Sequence, residues 1–98
     1  MNRFETTAAF SQWLAGLKDW KAKARILQRI ESAELGNFGD CAPVGEGVSE
    51  MRIHVGAGYR VYYMRIGATV YLLLAGGDKS SQSRDIRHAL AMVRALKE

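Results

Sequence analysis

The stretch SEMRIHVGAGYRVYY, Ser49 to Tyr63, constrains the fold more than any other part of the chain. Its apolar residues recur at every second position on either side of a Gly-Ala-Gly turn signal, the period of a β-hairpin with one face against a core. A three-residue loop of Gly56, Ala57 and Gly58 would pair Val55 with Tyr59, His54 with Arg60 and Arg52 with Tyr62. Met51, Ile53, Val55, Tyr59, Val61 and Tyr63 then share the core-facing side, while Arg52, His54, Arg60 and Tyr62 share the other. A two-residue loop would set His54 opposite Val61 and mix the faces, so the pattern favours the longer turn. A sheet face that met only water would accept Thr, Ser or Glu, so two guanidiniums, an imidazole and a phenol there raise the question of a ligand.

The flanking segments supply elements that can cover such a hairpin. Phe4, between Arg3 and Glu5, fits a brief first strand. Thr6 or Thr7 offers a hydroxyl cap to a helix whose Phe10, Trp13, Leu14 and Leu17 recur at helical spacing on one face. Asp19 can cap a second helix running to about Leu35, with Ile26, Leu27, Ile30, Ala33 and Leu35 as its apolar positions and Gly36 as a left-handed stop. GLKDW is then the corner of a helical hairpin. The segment GNFGDCAPVGEGV holds four glycines and the only proline, and reads as a long connection. Strands are expected at Val48 to Val55, Tyr59 to Ile66 and Thr69 to Ala75, with TVYLLLA buried on both faces. Ser80 or Ser81 can cap a last helix whose buried stripe is Ile86, Ala89, Leu90, Val93 and Leu96. The predicted class is α+β: an N-terminal helical hairpin, an antiparallel β-sheet arranged as a meander, and a C-terminal helix, with the helices covering one face.

Length and charge set the remaining bounds. With 98 residues and 48% hydrophobic content, the chain can bury one modest core, so residues 1–98 read as a single domain. Fourteen Lys and Arg against ten Asp and Glu leave a net charge of +4, which favours a polyanionic partner. Cys41 is the only cysteine, which excludes a disulfide framework and fits a reducing cytosol. Two histidines and one cysteine without ligand spacing give no metal site, and no cofactor motif is present. No apolar run approaches the roughly 18 to 20 residues of a membrane span, and MNRFETTAAF lacks the apolar core of a secretory signal, so a cytoplasmic location is expected.

Two segments carry chemistry. In the hairpin, arginine can hold phosphate oxygens in a bidentate fork and histidine can move protons near neutral pH. That set suits RNA cleavage by its own 2′-hydroxyl: a base for the proton, cations for the phosphorane, an acid for the leaving 5′-oxygen. The plainer alternatives are simple anion binding, or a solvated basic face partly balanced by Glu50. In GGDKSSQSRDI, the residues Gly76, Gly77, Lys79, Ser80 and Ser81 open the last helix, where free amides can face an anion and Lys79 adds charge. The segment does not match a P-loop, and its plainer reading is a capped connector. Lys18, Lys21, Lys23, Arg25 and Arg29 make the second helix basic, which fits a solvated face or an rRNA contact. His88 reads as a surface residue, Trp13 as core, and Trp20 as core or partly exposed.

Across LKDWKAKARI, GNFGD, GVSEMRIHVGAGYRVYY and LLAGGDKSSQSRDI the chain resembles the phage-derived, HigB-like addiction module killer branch of the RelE/ParE toxin superfamily. The resemblance covers essentially the whole chain. It implies a small α+β toxin made with an antitoxin, typically a helix-turn-helix protein, that neutralises it. RelE-like and HigB-like members cut mRNA in the ribosomal A site, without metal or cofactor, whereas ParE-like members inhibit DNA gyrase and are not nucleases. Through the GYR segment, Arg52 and His54 fall on the two basic strand positions of the RelE pattern and Arg60 on its arginine, with Lys79 near the basic residue that ends the last strand. RelE has lysines at the first two positions and a C-terminal tyrosine where this chain has roughly Asp85. The proton-handling role is then empty or passes to His54, Tyr62 or Asp85. Phosphate and RNA contacts are expected from Arg52, Arg60, Lys79, Ser81 and Arg84. The leading expectation is a type II toxin acting as a ribosome-dependent mRNA endoribonuclease. A gyrase inhibitor and a degenerate protein that only binds its antitoxin are the alternatives.

Overall fold

The helix caps fall where side-chain chemistry puts them. In the computed structural model, which describes residues 1–97, Thr7 Oγ1 accepts from the Phe10 amide at 3.1 Å and donates to the Leu74 carbonyl at 2.6 Å. It thereby starts α1 (Ala8–Ala15) and ties it to the sheet. Asp19 Oδ1 accepts from the Ala22 amide at 3.1 Å and starts α2 (Trp20–Glu34). Beyond α2, Gly36 takes φ +99°, the left-handed turn expected of it. α3 (Gln82–Leu96) follows a short 3-10 turn at Lys79–Ser81. Among the described residues no helix is long and apolar enough to cross a membrane.

The sheet contains β1 (Arg3–Thr6), β2 (Cys41–Gly45), β3 (Val48–Ile53), β4 (Tyr59–Arg65) and β5 (Val70–Asp78), in the order β1-β5-β4-β3-β2. It is mixed, not purely antiparallel, because β1 runs parallel to β5. The crossover that this requires is α1, α2 and the β2–β4 hairpins together, long enough to return the chain to the same edge. The glycine-rich segment expected to be a connection contributes β2. Alternating Cys41, Pro43 and Gly45 face solvent there while Ala42 and Val44 are half-buried, and the strand lies at an edge, where proline is tolerated.

The β3–β4 hairpin keeps its predicted faces but not its predicted register. Ile53 pairs with Tyr59, Arg52 with Arg60 and Glu50 with Tyr62, so His54–Gly58 form a five-residue loop. Gly56 and Gly58 both take positive φ, +55° and +78°, and the Gly58 amide donates to the Val55 carbonyl at 3.0 Å. This closes a turn inside the loop that the pattern alone had assigned to paired strand. The shift is two residues, so each side chain stays on the side its parity dictates. Met51, Ile53, Val61 and Tyr63 are buried with Phe10, Ile26, Ala33 and Leu73, under α1 and α2.

Helices cover both faces of the sheet, which corrects the one-sided expectation. The second face carries Val48, Tyr62, Leu74 and Ala75 beneath Ala89 and Val93 of α3. A bulge in β5 makes this possible: pairing passes from Tyr62–Ala75 to Tyr63–Leu73, leaving Leu74 unpaired, so Leu74 and Ala75 both turn to α3. Leu96 and Leu35, assigned to buried stripes by spacing, are 61% and 72% exposed, Leu96 as the last residue of α3 and Leu35 just past the end of α2. Trp20 is likewise exposed at the first turn of α2.

After the bulge, consecutive glycines admit a group from either side. A Cβ on Gly76 would lie 2.2 Å from the Trp13 ring, and a Cβ on Gly77 1.8 Å from Asp85 Oδ2. Gly76→Ala is therefore expected to cost at least about 2 kcal/mol, measured as a lowered urea midpoint, with partial recovery when Trp13 is also replaced by Leu. An unchanged midpoint in the single variant would show that Trp13 moves freely.

Candidate functional site

On the α3 side of the hairpin the register stacks Arg52 opposite Arg60 and Glu50 opposite Tyr62. Two guanidiniums directly across a ladder repel each other, and Glu50 offsets that. Only 4% exposed, its Oε2 accepts from Arg60 Nε at 3.0 Å and from Gln82 Nε2 at 3.4 Å, and its Oε1 accepts from Arg52 at 3.4 Å. A buried carboxylate without such donors would be strongly unfavourable. Glu50 therefore does more than partly balance a solvated face: it is the anchor of both arginines.

His54 lies in the loop, exposed, and makes no hydrogen bond to Glu50. Its Nε2 hydrogen-bonds Asp40 Oδ2 at 2.6 Å, while Asp40 Oδ1 accepts from Arg52 at 3.4 Å. The His54 hydrogen bond, aided by the charges of Arg52 and Arg29, holds the Asp40 carboxyl below its ordinary value. Arg29 of α2 puts Asp40 in place. It donates to the Phe38 and Asp40 carbonyls at 3.0 and 3.2 Å and to the Arg52 carbonyl at 2.5 Å. Gly39, at φ +65°, leaves the room this needs, since a Cβ there would lie 2.8 Å from the Arg29 guanidinium. Arg29 thus cross-links helix, loop and strand and is not part of a solvated basic face.

Arg52, His54, Gly56, Tyr59, Arg60 and Lys79 line an open cleft of about 470 Å³ at the turn end of the hairpin. Lys79 reaches it because β5 ends beside the turn, where a Cβ on Gly58 would lie 3.6 Å from that of Lys79. A neighbouring cleft of about 420 Å³, joined through Lys79, is lined by Ser81, Arg84 and Arg87 among others. Arg87 carries no motif in the sequence that marks it, and the adjacent His88 is exposed outside this cleft.

Other candidates lie elsewhere. Tyr62 has no exposed surface, and its hydroxyl finds no partner among the described residues. Burial, then the charges of Glu50 and Asp85, push its ionisation up to about 12, so it is a poor proton donor or acceptor for a ligand in the cleft. Its burial follows from the run VYYM, apolar on both parities, of which Tyr62 and Met64 lie under α3 and Val61 and Tyr63 face the other helices. Asp85, with 13% of its side chain exposed, accepts from the Ser81 hydroxyl at 2.5 Å and sits against Gly77. Ser81 consequently makes no side-chain cap for α3. One of the amides expected to be free at this helix start is answered from within: Asp78 Oδ1 accepts from the Ser80 amide at 2.8 Å and from its hydroxyl. Arg84 is largely exposed, its Nε 3.9 Å from Asp85. Among the described residues no group of His, Cys, Asp and Glu is arranged to hold a metal.

An α+β sandwich with a basic, histidine-bearing cleft at one end of its sheet is the class that this fold and site define. No family model matches the chain. An uncharacterized protein of Haemophilus influenzae (strain ATCC 51907 / DSM 11121 / KW20 / Rd) is 44% identical over 94 residues, which span 96% of this chain and 95% of that protein. The chain belongs to the same family as that protein.

Two outcomes follow from the site. Glu50→Gln leaves the largely buried Arg60 guanidinium without a counter-charge and Arg52 with Asp40 alone, and is expected to lower the unfolding free energy by about 3 kcal/mol in urea titrations. NMR titration should place the Asp40 carboxyl midpoint below 3.8, and His54→Ala should raise it. Because the folded value is the depressed one, this linkage supports the fold above the unfolded value and is lost as pH falls through the folded one. A midpoint indifferent to His54→Ala would remove the His54–Asp40 pair from the site.

Proposed function

We propose that the protein is the toxin of a type II toxin–antitoxin module and acts in the cytoplasm as a ribosome-dependent, metal-independent mRNA endoribonuclease. The sequence resemblance to HigB-like RelE/ParE toxins motivates the reading. The observation that carries it is the meeting of His54, Arg52, Arg60 and Lys79 around one open cleft.

The chemistry follows from what each group has left to offer. Since Nε2–H of His54 is committed to Asp40, the neutral imidazole presents the Nδ1 lone pair as a base. It takes the proton of an RNA 2′-hydroxyl, whose oxygen attacks the adjacent phosphorus. The terminal nitrogens of Arg60 donate to no protein group among the described residues and are free to hold the phosphate oxygens as negative charge builds. Lys79 adds a second cation and protonates the 5′-oxygen as the P–O5′ bond breaks, leaving a 2′,3′-cyclic phosphate and a 5′-hydroxyl. Arg52, bonded at both ends to Glu50 and Asp40, positions His54 through Asp40. A helix-turn-helix antitoxin would neutralise the toxin by covering this basic cleft with an acidic or apolar segment.

The burial of Tyr62 and Asp85 gives weight to a second reading, a ParE-like gyrase inhibitor that works by binding, because it shortens the list of groups available as acids. A protein that only binds its antitoxin is the third. Purified protein added to a programmed ribosome carrying a defined mRNA, with naked mRNA alongside, separates them. New 3′ ends in the A-site codon on ribosomes alone are expected, with the rate lowered about a hundredfold by His54→Ala and by Arg60→Ala. Full cutting by both variants would refute the site. No cutting, with gyrase-linked DNA breaks in cells, would favour the binding reading, and no growth defect without antitoxin would favour the third.

A further inference from the structure

His54 stands on the boundary between two clefts. It also lines a second hollow of about 400 Å³, to which neither Arg60 nor Lys79 contributes and which it shares with Arg25, Arg29, Asn37, Gly39 and Asp40. Resting on the nuclease reading, we infer that this second cleft is a nucleotide subsite that binds and reads the base immediately 5′ of the cut.

The assignment comes from the geometry of the reaction. The scissile phosphate belongs with Arg60 and Lys79, the cations of the first cleft free to hold it. The 2′-hydroxyl that attacks it is carried by the nucleotide on its 5′ side and must meet His54. The rest of that nucleotide therefore lies beyond His54, in the second cleft. Both hollows are of a size that accepts a small ligand.

The second cleft also has uncommitted groups suited to RNA. Arg29 is spent on backbone carbonyls, but Arg25 is exposed, and its only hydrogen bond among the described residues goes to Gln28 Oε1 at 2.6 Å. It has no carboxylate partner there and can take the next phosphate on the 5′ side. Asn37 Oδ1 accepts from the Gly39 amide at 3.2 Å. That donor identifies the oxygen, so the Asn37 amide nitrogen points away with two free hydrogens, able to donate to acceptors on a base edge.

The test uses the full chain, isotope-labelled for NMR, with a 2′-fluoro hexanucleotide that cannot be cut, and the programmed ribosome. Shift changes are expected on both sides of His54: at Arg60 and Lys79, and at Asn37, Gly39 and the Arg25 side chain. Arg25→Ala should weaken hexanucleotide binding about tenfold. Asn37→Asp, which keeps the acceptor for Gly39 and replaces the free donor by an acceptor, should change which base precedes the cut while the ribosomal cut persists. Shift changes confined to the Arg60 and Lys79 side, with the base preference of Asn37→Asp unaltered, would overturn the subsite and leave the nuclease reading standing. Absence of both hexanucleotide binding and ribosomal cutting would overturn the two together.

Discussion

The buried carboxylate of Glu50 is the constraint on which the cleft depends. Hairpin register forces Arg52 and Arg60 to face each other across the ladder, and neither could be held there by solvent alone without splaying outward. Glu50 lies one same-face step from each along and across the strands and satisfies both, with Gln82 of α3 completing its shell. The arrangement has a chemical consequence. Arg60 is tied through Nε alone, so its terminal nitrogens remain available, whereas Arg52 is tied at both ends. One anchor thus turns a pair of equivalent residues into a positioning group and a free cation.

The same face of the sheet serves two purposes along its length. Near the turn it is open and charged; farther along, α3 covers Tyr62, Val48, Leu74 and Ala75. The β5 bulge separates the regimes, because it turns two successive residues under α3 before regular alternation resumes at Gly76. Gly76 and Gly77 then thin the sheet where Trp13 presses from one side and Asp85 from the other. Without that thinning α1 and α3 would be held away from the strand, and the β5 end that delivers Lys79 to the cleft would sit differently.

Periodicity made much of this legible. Caps at Thr7 and Asp19, the stop at Gly36, the core parity of Met51, Ile53, Val61 and Tyr63, and the strand formed by the apolar run of β5 all follow from local chemistry that tertiary packing leaves intact. What escaped was set by contacts distant in sequence. β1 contributes a parallel strand through pairing with β5, which no pattern within Arg3–Thr6 encodes. The second layer under α3 was missed because Arg52, Arg60 and Tyr62 were read as one uniform face, although Tyr62 belongs to an apolar stretch. Within the site, the shared face of Arg52 and Arg60 was readable from parity, whereas Lys79 joins them because β5 runs past the expected end at Ala75 to Asp78, and only the family resemblance had set it near them. Asp40 was not readable: it sits in a glycine-rich segment with no period, and its proximity to His54 exists only after Arg29 has folded that segment onto β3.

That last contact changes how the basic second helix is understood. A run of lysine and arginine on a helix is ordinarily a solvated face, and Arg25 remains exposed in that sense. Arg29, one turn later, instead reaches three carbonyls from two segments. Its charge is partly satisfied by those dipoles and partly by Asp40, whose carboxylate it helps to keep ionised. Because His54 occupies a loop that the β-ladder does not hold, its orientation rests on Asp40, and Asp40 rests on Arg29 and Arg52. The imidazole is therefore fixed through Asp40 by Arg52 and by a helix that lines the second hollow and not the first, and the residues that matter for its orientation are the ones whose own charges are already spent.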